Sequence, residues 1–269
     1  MADELEFDPQ IDTSVPHSAR MWNYWLGGKD HYPVDREAGD QFRDAFPDIV
    51  AIARLSRHLL ARMVGYLAGE AGVRQFLDIG TGLPTVDNTH TLAQRVDPAA
   101  RVVYVDNDPL VLAHARALLV GTPEGATHYI DADLRDPNRI LEAAAGTLDF
   151  DQPVALMLMG ILGYVQDKED PYGIVKRLLD PLPRGSYLAM WDGSNVVTGP
   201  ALDEAQENLN ASAAMPPYTL RNREQMAGFF DGLEMVDPGI VSITLWRPDP
   251  DPFGPPAEVD GLCGVGRKP

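Results

Sequence analysis

Two apolar runs, each ending in a polar turn, constrain the fold of this chain more than any other feature. The first, residues 76–79, leads into Gly80-Thr81-Gly82, and the second, residues 102–105, ends at Asp106. An apolar run, a glycine turn, a helix and a second apolar run ending in an acid form a βαβ unit. Such a unit places the turn beside the acid at the carboxyl edge of a parallel sheet, where these sheets bind ligands. The segment therefore predicts a nucleoside-binding site.

The glycine turn disfavours two common classes of nucleotide. A dinucleotide fingerprint needs a third glycine where this chain has Thr85, so NAD and FAD are disfavoured. Residues 27–30, Gly-Gly-Lys-Asp, lack the upstream spacing and the hydroxyl of a phosphate-binding loop. A nucleoside triphosphate is therefore disfavoured as well.

Asp78 lies two residues before Gly80 and indicates the charge of the ligand. A carboxylate against the glycine turn repels a phosphate but can hold an ammonium group, directly or through water. The pattern Asp-x-Gly-x-Gly, followed by a strand-ending acid, resembles the first two motifs of the class I methyltransferases, which bind S-adenosylmethionine. In that family the first acid faces the methionine part of the cofactor.

The same resemblance implies roles for polar residues at later strand ends. Asp106 is similar to the acid that accepts hydrogen bonds from both ribose hydroxyls, which suits the two oxygens of a carboxylate. Asn107 and Asp108 would flank the adenine, Asp133 would read its amino group, and Met159 would lie beside the sulfonium. The implied cofactor residues in this part of the chain are Asp78, Gly80, Thr81, Gly82, Asp106, Asn107, Asp133, Leu134, Met159 and Gly160.

Each of these acids also has a purely structural interpretation. Asp78 and Asp133 fit turn or capping chemistry, and Asp106 fits a helix start with Pro109 at the first helical position. We favour the cofactor site because the acids follow one another in order on successive predicted strand ends. Pro84 departs from the pattern of the wider class, which commonly has a third glycine there.

A second resemblance is more specific and covers nearly the whole chain. Residues 18–30, S-A-R-M-W-N-Y-W-L-G-G-K-D, together with residues 80–85 and 88–90, are similar to a group of actinobacterial S-adenosylmethionine-dependent methyltransferases. Pro84 is normal in that group. The resemblance implies the cofactor but not the methyl acceptor.

The amino-terminal segment of that group suggests a lid over the cofactor. Arg20 and Tyr24 lie four residues apart on one helical face, where they can approach the methionine carboxylate and the sulfonium, and Gly28 lets backbone come close to the ligand. The alternative is a docking helix in which Trp22 and Trp25 are core residues and Arg20 forms a surface ion pair.

The apolar and helical periods alternate through the rest of the chain. We predict strands near 75–79, 102–106, 127–130, 153–159 and 185–191, helices near 47–67, 88–97, 109–119, 137–145 and 171–181, and a closing antiparallel hairpin of 239–245 with 262–267. This order predicts an α/β fold with a doubly wound, mostly parallel, seven-stranded sheet. The predicted domain organisation is an amino-terminal helical extension of residues 1–60 and a methyltransferase-like domain of residues 61–269, with a lid insertion at about 194–222.

Composition limits the partners of the chain. Its 269 residues carry 22 Lys plus Arg and 40 Asp plus Glu, and the formal net charge of −18 disfavours nucleic acid. The single cysteine, Cys263, is expected in a buried strand without chemistry. No apolar run approaches membrane-spanning length and the first residues lack a signal pattern, so we expect a cytoplasmic protein without membrane partners. We predict no metal site.

Methyl transfer needs mainly alignment, and sometimes a base. The weak catalytic candidates are Tyr164, Asp192 and His31, and the candidate acceptor pocket consists of Tyr32, Tyr164, Trp191 and Asn195. Many relatives appear to carry a histidine in the loop around Tyr164, which this chain lacks. Asp-Gly is also a sequence that strongly favours a turn, so Asp192-Gly193 has a purely structural interpretation as a turn. In that case the Asp192→Asn variant keeps its catalytic activity.

The sequence favours methylation of a small molecule on oxygen or nitrogen, with two alternatives from other classes. A non-catalytic regulator would keep the cofactor acids but have a blocked acceptor cavity beside Met159. A Rossmann-type oxidoreductase would bind a nicotinamide cofactor instead.

Overall fold

The fold of the chain is built around a mostly parallel sheet. The structure is a computed structural model, which describes residues 11–85, 87–118, 120–212, 216–252 and 254–269. Its strands are Gln75–Ile79 (β1), Arg101–Asp106 (β2), Ala126–Asp131 (β3), Ala155–Met159 (β4), Tyr187–Gly193 (β5), Glu234–Met235 (β6), Val241–Ser242 (β7) and Gly261–Arg267 (β8). The α-helices in the described residues are Ser18–Trp25 (α1), Pro33–Ala45 (α2), Ile49–Gly65 (α3), Thr89–Val96 (α4), Pro109–Leu118 (α5), Pro137–Ala144 (α6), Pro171–Leu179 (α7), Pro200–Ser212 (α8) and Arg223–Gly228 (α9).

The strand order is β3-β2-β1-β4-β5-β8-β6, with β7 also paired to β8. Strands β1 to β5 are parallel, and β8 runs antiparallel to β5. All five residues of β1 are buried, as expected for a strand with both faces covered. The direction of winding reverses between β1 and β4, and this switch point opens a crevice at the carboxyl ends of the strands. The predicted doubly wound α/β fold is confirmed.

The described residues form eight strands, where we predicted seven, because one edge strand is interrupted. Both β6 and β7 pair with β8, Glu234 opposite Arg267 and Val241 opposite Cys263. Pro238, which has no N–H to donate, lies between them, and Gly239 has a φ of 81°. The strand predicted over 239–245 is therefore reduced to two residues.

Alternate residues of the strands pack against different helical layers. One core joins strand residues such as Phe76 and Trp191 to the buried faces of α1, α2 and α3. The other joins strand residues such as Leu77 and Leu158 to α6, α7 and α9. Cys263 is buried in the first core, as predicted.

The amino-terminal helices share that first core with the sheet. Ile52, Leu59 and Met63 of α3 are buried on one face, as their spacing predicts. Residue 60, where we placed the end of the extension, lies inside the continuous helix α3. None of the helices in the described ranges is long and apolar enough to cross a membrane.

Candidate functional site

The loop after β1 bends sharply over the edge of the sheet. Gly80 and Gly82 have φ angles of 75° and 64°, a region that glycine adopts without steric cost. A Cβ on Gly80 would lie 2.5 Å from Cγ1 of Ile161, so a side chain there would also clash. The backbone N–H of Gly80 donates to the carbonyl of Val105, 2.8 Å away, and ties the loop to β2.

Asp106, at the end of β2, connects the same loop to the next helix. One of its carboxylate oxygens accepts from the backbone N–H of Gly82 at 2.9 Å, and the other accepts from that of Asp108 at 3.0 Å. Burial raises the pKa of Asp106, although these two hydrogen bonds and His17 oppose the shift. A carboxylate has about four acceptor positions, so two remain available here for a ligand.

A cavity of about 400 Å³ runs along this edge of the sheet. The predicted site residues in its wall are Gly80, Thr81, Gly82, Asp106, Asn107, Asp133, Leu134, Met159, Gly160, Tyr164 and Trp191. They come from the loops after β1, β2, β3, β4 and from β5, so the fold brings together what the sequence spreads over more than a hundred residues.

At one end of the cavity, polar side chains hold Asp133. Its Oδ2 accepts from the side-chain amide of Asn107 at 2.9 Å. The guanidinium of Arg135 lies 3.2 Å from Asp133 and 2.6 Å from Glu169. This end therefore presents carboxylate and amide groups suited to reading the edge of a base.

Aromatic residues form another part of the cavity wall, called the aromatic end below. Gly160 has a φ of 84°, and a Cβ there would lie 2.8 Å from the indole of Trp191. Trp22 of α1 packs edge-on against Trp191, with ring centroids 5.7 Å apart. Burial raises the pKa of Tyr164 to about 12, so its hydroxyl is protonated at neutral pH and acts as a donor rather than as a base.

Asp78 lies behind the cavity wall, beside a smaller pocket. Its Oδ2 accepts from the hydroxyl of Thr89 at 2.5 Å, and burial raises the pKa of its carboxyl to about 6 against the effects of Thr89 and Arg57. Arg57 of α3 lines both the smaller pocket and the main cavity. A bound ligand would therefore meet Arg57 from the cavity side, whereas Asp78 is not in that wall.

Sequence reasoning missed Arg57, although a signal was available. Arg57 lies four residues after Ala53 and three before Leu60, both buried on the inner face of α3. A charged residue on a buried helical face needs a partner or a ligand. Other wall residues that we did not predict are His17, Ser18, Trp22, Asn23, Ser56 and Arg135.

Besides Asp78, Asp192 and the buried Asp108, six predicted site residues lie outside the wall of the main cavity. Tyr24 donates to Asp40 at 2.7 Å, and Asn195 donates to Asp203 at 2.6 Å. The others are Arg20, Gly28, His31 and Tyr32, which lie in or just after α1. For Tyr24 and Asn195 the polar atoms are thus engaged within the protein.

The environment of Arg20 agrees neither with a lid residue that faces the cofactor nor with a surface ion pair. It is buried rather than exposed, and its guanidinium donates to the carbonyls of Asp12 and Val15. Its Nε lies 3.6 Å from both Asp35 and Asp108. Helix α1 instead turns Ser18 and Trp22, also four residues apart, toward the cavity.

The remaining three residues belong to the turn between α1 and α2. A Cβ on Gly28 would lie 2.4 Å from the side chain of Asn23, so this glycine allows close packing within the protein. His31 contacts the carbonyl of Gly28 at 3.2 Å, and the ring of Tyr32 lies under the guanidinium of Arg20. This turn therefore supports α1 from outside the cavity.

The interpretation of Asp192-Gly193 as a turn is wrong. Strand β5 continues through Gly193, which pairs with Gly261 of β8, because the antiparallel partner extends the ladder past the expected end. Asp192 is 1% exposed and accepts from the backbone N–H groups of Gly163 and Gly193 and from the hydroxyl of Tyr218. It holds the insertion to the strand.

Asp192→Asn is therefore expected to lower the free energy of unfolding by about 2 kcal/mol, since it leaves buried donors without an acceptor. Urea unfolding of Asp192→Asn, Tyr218→Phe and the double variant measures this. A double-mutant cycle should show coupling of at least about 0.5 kcal/mol, because the two side chains touch. Strictly additive losses would contradict the contact.

Comparison with known proteins agrees with this arrangement. The model of the S-adenosyl methyltransferase family matches residues 5–269. A DUF574 family protein from Streptomyces avermitilis is 46% identical, with a TM-score of 0.90 over 97% of this chain and 100% of that one. A candidate methyltransferase from Thermobifida fusca is 40% identical, with a TM-score of 0.88 over 98% and 99% of the two chains.

More distant structures show the fold alone. An S-adenosylmethionine-dependent methyltransferase from Anabaena variabilis is 11% identical, with a TM-score of 0.50 over 96% of this chain and 98% of that one. The search of curated proteins finds no significant match. The family match covers nearly the whole chain, and it confirms the resemblance and the cofactor inferred from the motifs. The chain belongs to the S-adenosyl methyltransferase family, and its cofactor is S-adenosylmethionine.

Proposed function

We propose that the protein methylates a small molecule, on oxygen or nitrogen, which reaches the cofactor at the aromatic end of the main cavity. The observation that carries this proposal is the lining of the cavity, which combines the acids Asp106 and Asp133 with the aromatic side chains of Tyr164 and Trp191. The polar end suits a nucleoside, and the aromatic end suits a different, less polar molecule.

In this proposal the cofactor follows the strand ends. Asp106 accepts hydrogen bonds from the ribose hydroxyls, and Asn107 and Asp133 contact the adenine. The loop of Gly80 and Gly82 lies along the methionine part. When bound, S-adenosylmethionine supplies an electrophilic methyl group.

The residues at the aromatic end orient the acceptor and exclude water. The bound cofactor would supply its methyl group to the nucleophilic atom of the acceptor, with S-adenosylhomocysteine as the leaving group, and the proton of the acceptor would pass to water. Alignment supplies most of the rate, so no base in the wall is required for an acceptor that ionises readily. Tyr164, protonated at neutral pH, donates a hydrogen bond and does not abstract the proton.

Arg57 is proposed to bind the methionine carboxylate. Arg57 lies in the cavity wall near the glycine loop, and its Nη2 donates to the carbonyl of Asp87 at 2.6 Å. Burial lowers its pKa and the charge of Asp78 opposes that shift, so the guanidinium stays charged. Asp78 would then act on the methionine part through Arg57.

Arg57→Met is expected to weaken S-adenosylhomocysteine binding roughly 10- to 100-fold, because the ligand loses one or two charge-assisted hydrogen bonds. Calorimetry should find the affinity for 5′-methylthioadenosine unchanged, because that ligand lacks the carboxylate. Arg54→Met, an exposed position on the same helix, is the matched control. Equal losses for both ligands would contradict the role of Arg57.

The class of acceptor is tested with labelled cofactor. Protein and S-adenosylmethionine carrying a tritiated methyl group are incubated separately with the small-molecule fraction and the macromolecular fraction of an actinobacterial lysate. We expect label in the small-molecule fraction, consistent with a net charge of −18, which repels nucleic acid. Label only in macromolecules would overturn the proposal.

The alternative of a non-catalytic regulator assumed a blocked cavity beside Met159. Met159 lies in the wall of the open main cavity, and this favours the enzyme. A regulator would bind S-adenosylhomocysteine but release none from S-adenosylmethionine with either lysate fraction.

A further inference from the structure

We infer that another cavity, called the smaller cavity below and distinct from the pocket beside Asp78, receives a short apolar arm of the acceptor. The enzyme therefore selects neutral acceptors that carry such an arm. The inference rests on the proposed function. The smaller cavity has a volume of about 50 Å³ and shares Trp22, Tyr164, Trp191 and Pro216 with the main cavity. These four residues, called the partition below, line both cavities, and in this inference the arm passes between their side chains.

The walls of the smaller cavity are almost entirely apolar. Helices α1 to α3 contribute Trp25, Phe42 and Ile52, and the insertion contributes Leu202 and Leu220. Three of the four tryptophans of the chain, at positions 22, 25 and 191, lie in this wall. An apolar group gains free energy by leaving water for such a surface.

The charges around the smaller cavity exclude an anionic group. Asp260 is the charged residue in its described wall, and its carboxylate accepts from the hydroxyl of Thr198 at 2.6 Å and the backbone N–H of Val197 at 2.7 Å. No arginine, lysine or histidine among the described residues lines it. A carboxylate or phosphate on the acceptor would be desolvated there without a partner.

Size limits the arm to a small group. A cavity of about 150 Å³ holds one benzene molecule, and this cavity has a third of that volume. A short alkyl substituent fits, whereas a complete additional ring requires the partition to move. The body of the acceptor and its nucleophile therefore stay in the main cavity.

Tyr164 presents a hydroxyl group at this boundary. The Tyr164 hydroxyl is close to the side chains of Trp22 and Ser18, and its ring packs edge-on against Tyr218 at 4.8 Å. Asp192 holds the Tyr218 hydroxyl, so the strand end supports the partition. An acceptor whose arm enters the smaller cavity thus places its hydroxyl or amine near Tyr164.

Calorimetric titration of the S-adenosylhomocysteine-saturated protein with three phenols tests the inference. We expect 4-ethylphenol to bind roughly tenfold more tightly than phenol, the gain from burying two carbon atoms. The anion 4-hydroxybenzoate, similar in size, should bind more weakly than phenol. Equal affinities for 4-ethylphenol and 4-hydroxybenzoate would overturn the inference.

Two variants of Leu220 locate the arm. Leu220→Phe fills the smaller cavity and should remove the advantage of 4-ethylphenol over phenol, and Leu220→Gln should reduce it at least fivefold. Val197→Gln is the matched control, since Val197 is 54% exposed on the same insertion. An unchanged 4-ethylphenol advantage in both Leu220 variants would overturn the inference.

S-adenosylhomocysteine binding separates this inference from the proposal on which it rests. Each variant is expected to bind S-adenosylhomocysteine like the wild type, and this also shows that the variant is folded. A wild-type protein that binds S-adenosylhomocysteine but no phenol selectively contradicts the second cavity alone. Label found only in macromolecules, in the experiment above, contradicts the proposed function itself.

Discussion

Asp106→Ala is expected to weaken binding of S-adenosylmethionine and S-adenosylhomocysteine by at least about 100-fold. Two charge-assisted hydrogen bonds to a ligand are worth roughly 3–6 kcal/mol together, and each 1.4 kcal/mol corresponds to a factor of ten. The variant also loses the acceptor for the Gly82 N–H, so the glycine loop keeps its backbone hydrogen bond to Val105 but loses this second connection to β2. Calorimetric titration of both ligands measures the loss.

Asp131→Ala is the matched control for this prediction. Asp131 is the residue of β3 that pairs with Asp106 at the same edge of the sheet, but its side chain is exposed. We expect its affinity for both ligands to equal that of the wild type. Binding retained in Asp106→Ala to within threefold would exclude the ribose role, and circular dichroism of the variant would show whether the fold is intact.

Arg221→Met is expected to lower the free energy of unfolding by about 3–5 kcal/mol, because it leaves two buried carbonyl groups without their charged donor. Arg221 is 1% exposed and donates to the carbonyls of Leu162 and Val165, each at 2.8 Å, and to Asp167 at 3.1 Å. It thereby attaches the end of the insertion to the loop after β4. Urea unfolding measures the change.

An exposed ion pair provides the comparison for Arg221. Arg177 lies 3.4 Å from Asp170, and both side chains are largely exposed. Arg177→Met should therefore cost less than about 1 kcal/mol. If Arg221→Met also lowered the free energy of unfolding by less than about 1 kcal/mol, the hydrogen bonds of Arg221 would not stabilise the fold.

The sheet and its ligand-binding edge could be predicted because their signals are local. The apolar runs that end at Ile79 and Asp106 have the length and composition of buried parallel strands, whatever packs against them. The glycines at 80 and 82 adopt the positive φ angles that their position after a strand suggests. The positions of the candidate cofactor residues follow from these strand ends, and their roles are implied by the resemblance to class I methyltransferases.

The errors concern residues whose environment is set by distant parts of the chain. A four-residue spacing predicts that Arg20 and Tyr24 share a face of α1, but it cannot say which face meets the cavity. Packing of Met21 and Trp25 into the core decides this rotation and turns Ser18 and Trp22 toward the ligand. Asp192 was misread for the same reason, because the neighbouring strand that pairs with it, β8, is distant in sequence.

The sequence by itself determined the fold class, the cofactor and the strand-end residues, since each depends on short-range periodicity or on a contiguous motif. Only the tertiary structure decided that Arg57 faces the cavity and that Asp78 lies behind it. It also decided that three helices and an insertion enclose a second, apolar cavity. Cavities and charge pairs depend on distances between segments far apart in the chain, and hydrophobic patterning specifies burial without specifying which buried surfaces meet.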